Sequence, residues 1–325
     1  METFNHGEYI SICLQGDYNK IIAYLRAADD GAELLAKYED IFENNVYVLI
    51  TDDEDINAFL NIYEDFIKWV LKTAPTRTDA EYEIVKRLMP LFPQAGLDTM
   101  ISKDQAYTLL EELVPKFLKE HGFYAQFGTV SPYPSLSLWG KQTVRHEQID
   151  LPDGYIDMEV VEMDDVITRG WLDYLTLTEV GTGGWVTNQG CTYFKKYYDT
   201  DSDTFKVGLL KHEGQHFFDK KKYPKMESTD LEYRAKLVEL IYTKDLNIFF
   251  HFLRNMSATD DRSFPHAYAE RKIIQGLSHK ILDTELEINA DVWASKSDKI
   301  QSAASALFNE HSQLLAAQNG LGHII

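Results

Sequence analysis

The chain has 325 residues, with 52 acidic against 32 basic side chains and a formal net charge of −20. That balance excludes the basic footprint a nucleic-acid partner requires, and an acidic surface of this kind is most commonly a solvated one. Hydrophobic residues at 44% and aromatics at 13% suffice for a packed core in one large domain or two. Cys13 and Cys191 are the only cysteines, which excludes both a disulfide framework and a cysteine zinc site.

The N-terminal stretch METFNHGEYISICLQGD has neither a basic region nor a long apolar core, so no signal peptide is expected. No run reaches the length of a membrane span, and a soluble protein of a reducing, cytoplasmic setting is the expectation. From 1 to about 125 the pattern predicts a mainly helical region of its own. EYISICLQGDYNKIIAYLRAA and AELLAKYEDIFENN carry helical spacing, VYVLIT reads as a short strand, and INAFLNIYEDFIKWVLKTA is an amphipathic helix closed by Pro75. Thr78 with Glu81 and Ser102 with Gln105 fit capping boxes that open two more helices.

The pattern changes near residue 130. KQTVRHEQIDLPDGYIDMEVVEMDD reads as two strands joined by a turn at Pro152-Asp153-Gly154, and WLDYLTLTEV as a further strand or, alternatively, a helix. TEVGTGGWVTNQGCTYF is broken by Gly181, Gly183, Gly184 and Gly190. It reads either as a glycine-rich surface hairpin or as a strand that a substrate backbone can pair with. The aromatic and basic patch Tyr193–Tyr198 follows, to line a cleft or to pack. From about 203 the chain is helical again, ending in one long helix over roughly 283–318. An α+β protein is the expectation, with domains at 1–125 and 126–325.

The most specific signal is His212-Glu213-Gly214-Gln215-His216, the HExxH pattern. On a helix the two histidines lie one turn apart on one face, where two imidazoles can bind one tetrahedral zinc. Glu213 then sits beside the metal and can take a proton from a zinc-activated water. At 100° per residue, Val207, Leu210, Phe217 and Phe218 form a core-facing stripe opposite the histidines, which Phe205 and Leu209 flank. Gly214 falls within that stripe, and a helical glycine costs about 1 kcal/mol against alanine, so something is expected to pack closely there.

A catalytic zinc takes a third protein ligand. A longer motif ending in Gly at 219 and His at 222 is excluded by Asp219 and Lys222. The alternative is a carboxylate on the next helix, STDLEYRAKLVELIYTKDLNIFF, which is apolar nearly all round and expected to be buried. Glu232 is the leading candidate. Glu239, seven residues on and in the same stripe, is the second, or else an orienting partner for a ligand histidine. Asp230 and Glu227 rank lower. Glu232 also fits a capping box with Thr229 or an i,i+4 pair with Lys236. Downstream, His266 and Tyr268 are candidates to donate to the oxyanion of a transition state.

HEGQH followed by a helix carrying LEYRA resembles the gluzincin metallopeptidases over roughly residues 180–240. In several of those families the third ligand is a Glu followed three residues later by a small residue, as in Glu232-Tyr233-Arg234-Ala235. The resemblance implies a zincin-like catalytic domain with a small sheet, the HExxH helix and C-terminal helices. It implies one Zn2+ per chain on His212, His216 and Glu232, Glu213 as general base, and a peptide or protein substrate paired along an edge strand.

Overall fold

The structure is a computed structural model that describes residues 4–44, 49–95, 102–187, 189–243, 246–257, 260–318, 320 and 324–325. It is α+β, and the chain divides into two compact units, residues 1–142 with 163–182 and residues 143–162 with 183–325.

The first unit contains α1 (His6–Cys13), α2 (Tyr18–Ala27), α3 (Ala32–Phe42), α4 (Glu54–Thr73), α5 (Arg77–Leu88) and α6 (Lys103–Glu120). On α4 the residues Ile56, Phe59, Leu60, Tyr63, Phe66, Ile67, Val70 and Leu71 are buried at the three- and four-residue spacing of one helical face. Ala74 in the left-handed conformation ends the helix before Pro75. The capping box at Ser102 and Gln105 is formed, whereas α5 is capped by Thr76, two residues before the expected Thr78. The strand expected at 46–51 lies partly outside the described residues, and Leu49–Thr51 form no strand.

Strands β1 (Tyr124–Val130), β2 (Tyr133–Leu151) and β3 (Gly154–Arg169) follow, with the β2–β3 turn at the expected Pro152-Asp153. The first unit holds β1, which pairs antiparallel with the start of β2 from Val130↔Tyr133 to Tyr124↔Trp139. Residues beyond 125 thus pack with the N-terminal helices. Of the two readings open for the stretch from Trp171, the structure has the helix, α7 (Trp171–Leu175). Asp173 accepts from both the backbone and the guanidinium of Arg169, which closes a helical turn there.

In the second unit the tips of β2 and β3 continue into β5 (Gly190–Phe194) and then β4 (Gly184–Val186), which is the sheet edge. Around them lie α8 (Asp203–Phe205), a π-helical turn (Lys206–Lys211), α9 (His212–Lys222), α10 (Ser228–Tyr242), α11 (Asn247–Asn255), α12 (Pro265–Leu282), α13 (Ala290–Trp293) and α14 (Ser297–Ala317). The long terminal helix is thus interrupted. Asp283, left-handed at φ 56°, ends α12, and Asn289 caps the short α13. Helix α10 is the centre of this unit and packs against α9, α12 and α14. Leu237, Val238 and Leu240 on it are fully buried, as are Ile273, Ile274 and Phe308 on its neighbours. No helix among the described residues is long and apolar enough to cross a membrane.

Candidate metal centre

Helix α9 begins at His212 and continues directly from the π-helical turn. A π turn takes more residues per revolution than an α turn, so the 100° projection misplaces residues 206–211. Phe205, Val207, Leu209 and Leu210 are all buried, and Phe217 with them. Gly214 is where close packing is expected: a Cβ there would stand 3.1 Å from Ile149 Cγ2 and 3.7 Å from Ile156 Cγ2. The HExxH helix therefore lies directly on the β2–β3 hairpin.

Three donor side chains converge across α9 and α10. His212 Nε2 and His216 Nε2 are 3.0 Å apart, with ring planes at 84°. Glu232 places Oε1 3.3 Å from His216 Nε2 and Oε2 3.5 Å from His212 Nε2. Donors bound tetrahedrally at about 2.0–2.1 Å stand about 3.3–3.4 Å from one another, so these separations suit a single small cation. The donor set, two imidazoles and one carboxylate, is borderline in softness and fits zinc. Glu213 is half-buried, and its carboxylate lies with His212 and His216 in one group whose ligand atoms are within 4.8 Å.

The surroundings fix these side chains. His212 Nδ1 is 2.7 Å from Glu239 Oε1, which holds the ring with Nδ1–H donating and the Nε2 lone pair free. Burial alone would lower the His212 pKa, but the bond to Glu239 and the charges of Glu239, Glu213 and Glu232 outweigh it and raise it. Burial alone would raise Glu232, but hydrogen bonds from His216 and His266 outweigh it and hold the carboxyl far below its usual range. His216 Nδ1 is buried without a hydrogen-bond partner among the described residues.

Charged residues on α10 lock the helices that carry the donors. Arg234, fully buried, donates from Nε to Asp219 of α9 at 2.8 Å, from Nη2 to Asp153 at 2.9 Å and from Nη1 to Ser312 at 2.7 Å. Gln215, inside the HExxH segment, donates to the same Asp219 oxygen at 2.8 Å. Lys236 pairs with Glu270 of α12 at 2.8 Å, leaving Glu232 to the histidines. Neither partner was expected from sequence: Arg234 had no assigned role, and Lys236 was offered to Glu232 rather than to Glu270. Their signal was present: two cations on a helix apolar nearly all round require buried partners.

The other candidates separate clearly. The expected capping box at Thr229 and Glu232 is absent, because α10 starts at Ser228 with Glu227 as N-cap and no side-chain cap bond. Glu227 is exposed, and Asp230 is bonded to His311 at 2.7 Å. His266, in the first turn of α12, brings Nδ1 within 3.0 Å of Glu232 Oε2 while its side chain remains 68% exposed. Tyr268 is not brought to the centre. Two residues on from His266 it lies about 200° around the helix, where its buried ring sits against Arg262 and Lys272. Strand β4 is an edge strand against which α9 packs. Tyr193 is core, bonded to Glu162, whereas half-buried Tyr198 packs edge-on against Tyr193 and Phe205. Burial raises the Tyr198 hydroxyl above its usual pKa, and the charge of Glu213 adds to it. No protein-family model, curated protein or solved structure matches this chain.

Proposed function

We propose that this protein is a zinc-dependent metallopeptidase with a zincin-like second unit, resembling the gluzincins. The observation that carries the reading is the convergence of His212 Nε2, His216 Nε2 and the Glu232 carboxylate within 3.0–3.5 Å of one another. A zinc ion held by these three would supply Lewis acidity and an acidified water. Glu213, half-buried beside the histidines, accepts the proton of the attacking water and passes it to the leaving amine. His266, at the exposed rim of the cluster, donates to the developing oxyanion. The β4 edge offers main-chain groups to an extended peptide or protein substrate. Both cysteines are unpaired and buried, in keeping with a reducing, cytoplasmic setting.

The test is Glu213→Gln. The variant is expected to retain one zinc per chain and lose peptide hydrolysis. Wild-type turnover in Glu213→Gln would sink the mechanism.

A further inference from the structure

Helices α10 and α12 meet in two charged rungs, one turn apart on each helix. The first is Glu232 with His266 at 3.0 Å. The second is Lys236 with Glu270 at 2.8 Å, four residues on along both helices, with both side chains buried at 7% and 4% exposure. Side chains on a helix lean toward its N-terminus, so Lys236 and Glu270 lean back over the turns that carry the first rung. The Lys236 ammonium is also held from α11, where it lies 4.7 Å over the buried Phe252 ring.

Lys236 has a second carboxylate within reach. Glu232 stands four residues before it on α10, and a glutamate N-terminal to a lysine at i,i+4 is the favoured order for a helical ion pair. Glu232 is 12% exposed, so water screens such a pair less than it would on an open surface. An ammonium and a metal cation compete for the same oxygens, which here lie 3.3 Å and 3.5 Å from the two histidine Nε2 atoms. The structure resolves the competition through α12. Glu270 takes up the charge of Lys236, and the Glu232 carboxylate faces His212, His216 and His266.

We propose that Glu270 guards the third metal ligand: by holding Lys236 against α12, it keeps the ammonium off Glu232 and leaves that carboxylate open to zinc. Glu270 is thus a positioning residue that acts through Lys236. The proposal rests on His212, His216 and Glu232 as the zinc ligands and not on peptide hydrolysis, so its test is a metal-binding measurement.

Zinc affinity is measured by chelator competition in three variants, beside thermal unfolding of the metal-free proteins by circular dichroism. Glu270→Gln releases Lys236 to turn to Glu232 and is expected to weaken zinc binding about tenfold, the low end for losing a group that supports a metal ligand. Lys236→Met leaves Glu270 charged and unpaired and lowers the melting temperature. It removes the competing ammonium as well, so its zinc affinity stays within threefold of wild type. Lys236→Met with Glu270→Gln carries neither charge and is expected to bind zinc as wild type does. If the pair were merely structural, zinc affinity would fall with melting temperature in both single variants. Should Glu270→Gln fail to fold, Glu270→Asp, which keeps the charge but draws it back by one methylene, replaces it. A smaller loss, again restored by Lys236→Met, is then expected. Zinc affinity in the folded Glu270 variant equal to wild type, or a loss that Lys236→Met does not restore, overturns the guard role. A wild type that binds no zinc overturns the metal centre and the guard together. Loss and rescue in a protein that cleaves no peptide support the guard and overturn the peptidase reading alone.

Discussion

Glu239 offers the sharpest handle on how the metal centre is held. Its Oε1 lies 2.7 Å from His212 Nδ1, both side chains being 9% exposed, so the bond is shielded from water and fixes which nitrogen carries the proton. In Glu239→Ala the buried Nδ1–H loses its acceptor and the ring is free to turn or change tautomer, either of which withdraws the Nε2 lone pair from its place 3.0 Å from His216 Nε2. Removing such a partner from a metal-binding histidine costs about 10–100-fold in metal affinity, or about 1.4–2.7 kcal/mol. Glu239→Gln keeps an acceptor oxygen and gives up the charge, so its loss falls between wild type and alanine. The assay is competition for zinc against a fluorescent chelator of known affinity, with circular dichroism confirming the fold. Zinc affinity of Glu239→Ala within threefold of wild type would refute the reasoning, because the bond would then contribute nothing to the ligand it orients.

Arg234→Met leaves Asp219 charged and fully buried beside Gln215 alone, which costs about 3–5 kcal/mol. At about 2–4 °C per kcal/mol, thermal unfolding should shift down by roughly 6–20 °C. A shift under 3 °C would show that the buried triad does not tie α9 to α10. His266→Ala should keep the metal, because the side chain is exposed and only reaches Glu232, yet slow peptide hydrolysis on the order of 10²–10³-fold. Loss of zinc in that variant would make His266 a fourth ligand and the site a closed, structural one. Glu162 is held below its usual range, first by the Tyr193 hydroxyl and then by Lys195. A depressed carboxyl adds stability above its unfolded pKa of about 4.3 and loses it as pH falls through the folded value. Glu162→Gln should therefore lower the melting temperature at pH 7 and converge with wild type at pH 2, and an equal gap at both pH values would contradict this.

The parts of the site legible in the sequence are those governed by one helical period. His212 and His216 one turn apart, and carboxylates at 232 and 239 on one stripe, follow from 3.6 residues per turn whatever the tertiary structure does. Gly214 was legible for the same reason, since a glycine in an apolar helical stripe implies a close neighbour, and Ile149 is that neighbour. The π-helical turn was not legible, because nothing in KVGLLK distinguishes it from α-helix, and it shifts every side chain upstream of His212. Choosing between His266 and Tyr268 required the start of α12: once Pro265 is its first residue, the two point opposite ways. Thr229 illustrates competition between local and tertiary demands. Its sequence fits a capping box with Glu232, but the carboxylate is drawn to two buried imidazoles instead, where its negative charge is worth more. At Trp171 strand and helix were both open from sequence, and the Arg169–Asp173 pair, an i,i+4 interaction that apolar alternation does not reveal, accompanies the helix.

The central claim is that His212, His216 and Glu232 hold one zinc ion, and metal content by mass spectrometry of the purified protein beside His216→Ala tests it most directly. About one zinc per wild-type chain, lost in the variant, is the predicted result. No zinc in the wild type after the metal has been added back would contradict the account.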